Sequence, residues 1–225
     1  MHIEPGVVHG AKMVLAYGTA AGAAGYSAKL IAEDLKNHPA ASLVVRSVAA
    51  TVAVLVFFEL LPHFPVGISE VHFILGTTLL LILGVAPAAV GLAAGLGIQG
   101  MFFAPTDLPM YFVNLTTVLV PLFGIHAIAR KALPKGVAFV DLKYADVLKL
   151  SAAYQGGVVA WVAFWAFYGQ GAGVDTMASV ASFGLAYMMV ILIEPLIDLA
   201  VLAGAKSLKD MKDSPLVTRR LYNPA

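Results

Sequence analysis

Long apolar stretches separated by short polar segments dominate this chain. Seven stretches approach or exceed the length needed to cross a bilayer, and they cover roughly residues 9–33, 42–62, 70–86, 87–104, 109–130, 145–168 and 177–204. Polar, proline and glycine residues separate them, as in NHPAAS after the first stretch and YGQGAGVDT before the last. The third and fourth stretches are short and meet at Pro87, which predicts a tight hairpin.

The composition identifies the class of protein to which these stretches belong. Apolar residues make up 60% of the chain and charged residues 12%, with a mean hydropathy of +0.87, whereas a soluble domain carries about 25% charge. The chain has no cysteine, which excludes disulfides and thiolate metal sites. An open chain satisfies its backbone hydrogen bonds in lipid only as helix. We therefore predict an all-α integral membrane protein with about seven transmembrane helices.

The basic residues predict the orientation of this bundle. The loops HFPVGIS, APTDLP and GQGAGVD contain no Lys or Arg. Basic residues occupy the alternate loops and the C-terminal segment, at Lys36, Arg130, Lys131, Lys135, Lys143, Lys206, Lys209, Lys212, Arg219 and Arg220. By the positive-inside rule the N-terminus lies outside, and residues 206–225 form a basic cytoplasmic tail after a single transmembrane domain, residues 1–205. No basic stripe remains to indicate nucleic-acid binding.

Candidate metal ligands concentrate near the predicted outer face. His2, His9, His63 and His72 all lie there, and imidazole binds Co, Ni, Cu and Zn well. Residues 1–10 lack the basic and apolar regions of a signal peptide, and a large second residue disfavours removal of Met1, so we expect a free Met1 amine. That amine, the His2 backbone nitrogen and His2 Nδ1 can close fused five- and six-membered chelate rings. Such a planar set favours Ni(II) or Cu(II), with Co(II) as a further candidate.

A fourth ligand is predicted at the outer end of the third stretch. His72 follows PHFPVGISEV, and Glu70 lies two residues earlier, where it can accept a hydrogen bond that orients an imidazole. His63 is a further outer-shell candidate, although its neighbours Pro62 and Phe64 are more typical of an interfacial residue. His9 opens the first stretch, either as an outer-shell group or as the polar end of the helix.

Three segments of the sequence resemble the CbiM/NikM family, the membrane substrate-capture subunits of cobalt and nickel energy-coupling-factor (ECF) transporters. They are MHIEPG, PVGISEVHFILGTT and GIQGMFFAPTDLPMYFVN, and the likeness extends over about the first 130 residues. The resemblance implies a metal site on Met1, His2 and His72, with Asn114 in the supporting shell. Where the family has a glycine-rich acidic turn, this chain has APTDLP, which keeps only Asp107.

The resemblance also implies a function. The chain would capture Co²⁺ or Ni²⁺ at the outer face through residues 1–8, which insert among the spans, and would carry the ion inward without catalysing a reaction. A transmembrane coupling subunit and cytoplasmic ATPase subunits would be its partners, with a small accessory membrane subunit as an optional one. The location would be a bacterial or archaeal cytoplasmic membrane, and no organic cofactor is expected. The chain itself lacks a GxxxxGK[ST] motif.

Acidic residues inside the last stretch allow two interpretations. Glu194 and Asp198 are four residues apart and share one helix face. The resemblance suggests that this face docks against the coupling subunit. The alternative is an inward-facing structural pair near the cytoplasmic end.

Other functions remain open at this stage. A proton-coupled secondary metal transporter could use Glu59, Glu194 and Asp198. A haem-binding redox protein would need paired histidines at similar depth within the spans, and His126 lies far from the others. The hydrolase motifs, including H-E-x-x-H, are absent. Because the same nitrogen ligands serve both ions, the sequence does not separate cobalt from nickel.

Overall fold

Eight α-helices and one β-hairpin make up the part of the chain described by the computed structural model, residues 2–133 and 137–223. The helices are α1 (Met13–Leu35), α2 (Ala40–Leu55), α3 (Gly76–Leu83), α4 (Val85–Phe102), α5 (Tyr111–Ala132), α6 (Tyr144–Gln170), α7 (Val174–Met188) and α8 (Val190–Ser207). The antiparallel hairpin pairs β1 (Phe64–Val66) with β2 (Ser69–Val71). Met1 and Lys135, on which predictions were made, lie outside the described residues.

Five helical segments are long and apolar enough to cross a membrane. They are Ala40–Leu60, Val85–Phe102, Pro105–Lys131, Tyr144–Gln170 and Val174–Ser207. The first of these joins α2 to a π-helical turn, Val56–Leu60, and the last joins α7 to α8. The 23-residue α1 and the eight-residue α3 complete the bundle, in agreement with the predicted helical membrane architecture.

The predicted third stretch, residues 70–86, is wrong as a single helix. Its beginning belongs to β2, and the helix α3 covers only Gly76–Leu83. The break before α4 falls at Gly84, whose φ of +92° suits a residue without a Cβ, rather than at Pro87. Pro87 lies in the first turn of α4, where its missing N–H leaves no helical hydrogen bond unmade.

The predicted last stretch is also interrupted. Residues 177–204 divide between α7 and α8 at Met189. There the Met189 N–H donates to the Ala186 carbonyl and the Leu192 N–H to the Met189 carbonyl, both at 3.1 Å. These tighter i to i+3 bonds mark a local 3₁₀ turn between the two helices.

A buried arginine joins three helices at the end of the bundle away from the hairpin. Arg46 of α2 is fully buried, and its Nη2 lies 2.6 Å from Oδ2 of Asp34 on α1. Its Nη1 donates to the Leu83 carbonyl at the end of α3, at 2.7 Å. A guanidinium can be buried when its N–H groups are satisfied in this way. This position of Arg46 was not predicted from the sequence.

The segment after α8 folds back onto the same end of the bundle. The Thr218 N–H donates to the Ile82 carbonyl at 2.8 Å, and the Tyr222 hydroxyl donates to the Ala205 carbonyl at 2.7 Å. Leu221 is almost completely buried. The predicted basic tail is therefore packed against α3 and α8 over its described part.

Candidate metal centre

The N-terminal segment lies beside β2 and extends the hairpin as a third, strand-like segment. Ile3 forms an antiparallel bridge with Ser69 of β2, and the Glu70 N–H donates to the His2 carbonyl at 3.1 Å. The Ser69 hydroxyl donates to the same carbonyl at 2.9 Å. Because side chains alternate along a strand, this pairing fixes the face on which the His2 ring projects.

The side chain of Asn114 binds the backbone of this segment. The Ile3 N–H donates to Oδ1 of Asn114 on α5 at 2.9 Å, and both residues are buried. Nδ2 of Asn114 is buried without a hydrogen-bond partner among the described residues. The structure thus places Asn114 in contact with the backbone next to His2.

Two glycines allow the hairpin and the N-terminal segment to approach the helices closely. Gly67 turns between β1 and β2 with a φ of +61°, and a Cβ there would overlap the Ser179 carbonyl of α7. A Cβ on Gly169, at the end of α6, would overlap the Val7 carbonyl. Both contacts are with backbone, which cannot rotate away as a flexible side chain can.

Gly169→Ala is therefore expected to displace the N-terminal segment. Overpacking of this kind costs about 1–3 kcal/mol. Hydrogen exchange at the amides of Ile3 and Glu4, which bond to Asn114 and to the Ile68 carbonyl, should become faster. Gly156→Ala is the matched control, since it lies in the same helix with open space around it. Unchanged exchange in Gly169→Ala would mean that α6 does not determine where the segment lies.

His2, Glu70 and His72 form a cluster with the spacing of metal ligands. One donor atom from each residue lies within 4.8 Å of the other two. The ring centroids of His2 and His72 are 5.5 Å apart, and the residues are only 5% and 2% exposed. His2 Nδ1 donates to Oε2 of Glu70 at 2.9 Å. The cluster thus joins the start of the chain to the segment 68 residues further on.

His72 carries a free nitrogen lone pair. Its Nδ1 donates to the Phe73 carbonyl at 3.0 Å, which leaves the lone pair on Nε2. Nε2 is buried and has no hydrogen-bond partner among the described residues. Burial lowers the pKa of His72 to about 4, so the imidazole is neutral near pH 7. A buried, neutral, unpartnered imidazole is suited to bind a transition-metal ion.

Carboxylates surround the approach to this cluster. Glu4, Glu70 and Asp107 line a cleft of about 410 Å³ together with His2 and Thr106, and no described lining residue is Lys or Arg. Oδ2 of Asp107 lies 3.8 Å from His2 Nδ1. The hydrogen bond from His2 lowers the pKa of Glu70. The pKa of Glu4 is raised, mainly by burial and to a smaller extent by the charges of Glu70 and Asp107. This concentration of negative charge favours the entry of a cation.

Two of the predicted supporting histidines lie outside the cluster. His9 is exposed and precedes the 3₁₀ turn Gly10–Lys12. His63 is also exposed, and its Nδ1 lies 3.3 Å from the Leu61 carbonyl. Neither side chain belongs to the group that His2 forms with Glu70 and His72.

Glu194 and Asp198, the predicted coupling face, do not lie on the surface of the bundle. These side chains are 0% and 1% exposed, so neither is available on a surface for a partner to contact. Glu194 accepts hydrogen bonds from the backbone at the start of α3, and Asp198 accepts one from the Thr78 hydroxyl of α3. Acidic groups inside an apolar bundle require such donors, and here the donors belong to the same chain.

The family model for the cobalt uptake substrate-specific transmembrane region, CbiM, matches residues 2–210. The chain belongs to the CbiM family. Comparison with curated proteins and with solved structures found no match. The match confirms the family predicted from the sequence motifs. As a CbiM family member, the chain is a multi-pass membrane component of cobalt uptake and not an enzyme.

Two residues near the cluster of this CbiM family member were not predicted from the sequence. The Phe58 ring packs edge-on against both imidazoles, with centroids 5.9 Å from His2 and 4.6 Å from His72. It is one apolar residue among many in its stretch and carries no sequence signal. Ser69, which binds the His2 carbonyl, lies within the motif PVGISEVHFILGTT, where a hydroxyl among apolar residues could have identified it.

Proposed function

We propose that this CbiM family member captures Co²⁺ or Ni²⁺ beside its N-terminus and carries the ion inward as the substrate-specific subunit of an ATP-driven ECF transporter. The observation that carries the proposal is the buried Nε2 of His72, which has no partner among the described residues and lies beside the His2 ring. The family match supports cobalt uptake as the biological context.

The proposed ligands are four nitrogens: the Met1 amine, the His2 backbone nitrogen, His2 Nδ1 and His72 Nε2. Binding through His2 Nδ1 displaces the hydrogen bond that this nitrogen makes with Glu70. The Glu70 carboxylate then lies close to the bound cation and offsets part of its charge. Asn114 holds the Ile3 amide and so keeps His2 beside His72.

The identity of the ion depends on more than these ligands. Nitrogen donors suit both ions, and the intrinsic order of affinity places Ni(II) above Co(II). The description of the family names cobalt. We propose cobalt as the transported substrate and nickel as an ion that the same site binds.

The proposed topology places the N-terminus and the acidic cleft outside and residues 206–225 on the cytoplasmic side. The alternation of basic and neutral loops supports this orientation. Residues 1–205 form one transmembrane domain, in which residues 1–8 capture the ion. A bacterial or archaeal cytoplasmic membrane would hold the complex. A transmembrane coupling subunit and cytoplasmic ATPase subunits would supply the energy, with a small accessory membrane subunit as an optional partner.

Titration of the purified chain with Co²⁺ and Ni²⁺ tests the proposal, provided that Met1 is the true N-terminus. We expect stoichiometric binding and, with Ni(II), the yellow absorption of a square-planar complex. His72→Ala should leave a three-nitrogen complex with an affinity reduced more than about 100-fold, beyond the usual effect of an outer-shell residue. His63→Ala provides the comparison, since its ring is exposed and lies outside the group of His2, Glu70 and His72. If His63→Ala weakens binding and His72→Ala does not, the fourth ligand is assigned incorrectly.

A further inference from the structure

A strained turn connects His72 to helix α3. Leu75 has a φ of +53° and is the non-glycine residue with positive φ in the described part of the chain. The left-handed conformation is unfavourable for a residue with a Cβ, so surrounding contacts must hold it. Leu75 comes three residues after His72 and immediately before α3, so its conformation sets the path of the chain from the imidazole to the helix.

Glu194 of α8 holds this turn. Its Oε1 accepts hydrogen bonds from the N–H groups of Ile74, at 2.9 Å, and Leu75, at 3.1 Å. Gln155 of α6 donates to the other carboxylate oxygen. Charged acceptors form stronger hydrogen bonds than neutral ones, particularly in a buried site. The turn at Leu75 is thus held from the opposite side of the bundle by a residue about 120 positions away.

The position of the His72 ring depends on the same turn. His72 Nδ1 donates to the carbonyl of Phe73, the residue that precedes the first amide bound by Glu194. A different path through Ile74 and Leu75 would move this carbonyl and rotate the imidazole. The donor atom of His72 would then no longer lie within 4.8 Å of those of His2 and Glu70.

We propose that Glu194 is a positioning residue of the capture site, which holds residues 72–75 in the strained conformation that directs His72 Nε2 to the ion. The inference rests on the proposed function, because it requires His72 to be a ligand. It also connects the ion to α8, since a displacement of α8 would release the turn and lower the affinity of the site.

A double-mutant cycle between Glu194 and His72 tests the inference. The Kd for Co²⁺ is measured with the full-length chain that begins at Met1, for wild type, Glu194→Gln, His72→Ala and the double variant. We expect Glu194→Gln to weaken binding roughly tenfold to a hundredfold, the range for a lost charged hydrogen bond. In the His72→Ala background the same change should alter Kd by less than about twofold, because Glu194 acts only through His72.

Asp198→Asn is the matched control. Asp198 lies on the same helix and is buried to the same degree, but it binds the Thr78 side chain rather than the backbone of the turn. Its substitution should leave Kd unchanged within about twofold. If Glu194→Gln does not give folded protein, Glu194→Asp, which keeps the charge and shortens the reach, enters the same cycle.

Two outcomes would overturn the inference. An equal loss of affinity with and without His72 would mean that Glu194 stabilises the bundle as a whole. Unchanged binding in Glu194→Gln would mean that the turn holds without the carboxylate. If His72→Ala itself has no effect, the error lies instead in the proposed ligand set.

Discussion

His2→Ala is expected to abolish tight Co²⁺ binding while the bundle remains folded. The change removes the Nδ1 ligand and with it the chelate ring that makes the His2 backbone nitrogen a ligand. Four ligands contribute roughly 10–16 kcal/mol in structural zinc sites, so each lost nitrogen costs about 2.5–4 kcal/mol. Isothermal titration with Co²⁺ would measure the loss.

The fold should survive because the hydrogen bonds that pair position 2 with the hairpin use its backbone, although the bond from His2 Nδ1 to Glu70 is lost. The His2 carbonyl accepts from the Glu70 N–H and the Ser69 hydroxyl, and an alanine keeps that carbonyl. His9→Ala is the matched control, since its exposed side chain lies outside the cluster. Without metal, the temperature of thermal unfolding should be nearly the same for the wild type, His2→Ala and His9→Ala. Co²⁺ affinity that is unchanged in His2→Ala would remove His2 from the ligand set.

Addition of one residue before Met1 is expected to weaken Co²⁺ binding by about 2.5–4 kcal/mol, the share of one ligand. The added residue converts the amine into an amide, which is a far poorer donor. The segment cannot compensate by sliding, because Ile3 is held by both Ser69 and Asn114. A shift of one residue would also turn the side chains of the segment to the opposite face.

A cleavable extension supplies the control within a single preparation. Protease treatment that restores Met1 as the first residue should restore binding to the level of the untagged chain. Equal Kd values before and after cleavage would contradict the proposed chelate at the N-terminus. The same comparison made with Ni²⁺ would show whether both ions depend on the amine.

The helical membrane architecture could be predicted because long apolar stretches have few alternatives in lipid. The prediction failed between residues 64 and 75, where Val71 and Phe73 read as part of an apolar helix. There the chain forms β2 and the turn at Leu75, and these depend on contacts with the N-terminal segment and with α8. The break at Met189 has no marker in the surrounding sequence, which consists of strong helix formers and apolar residues.

The candidate site was predictable to the extent that its groups are rare in an apolar chain. Histidines and acids stand out there, so His2, Glu70 and His72 were identified from their chemistry. The role of Glu194 could not be predicted, because its partners are backbone N–H groups of Ile74 and Leu75, which no side-chain pattern reveals. The burial of Glu194 likewise depends on how α8 packs against α3 and α6.

Residues 2 and 3 reach their final position only after much later parts of the chain have been synthesised. Ile3 can pair with Ser69 only after β2 has been synthesised, and with Asn114 of α5 only 111 residues after Ile3 itself. Until α5 is in the bilayer, Ile3 can pair with β2 but lacks the Asn114 side chain that binds its N–H. Maturation of the site is therefore complete only after α5 has been inserted. A nascent chain arrested before α5 would lack this contact, although β2 is already present.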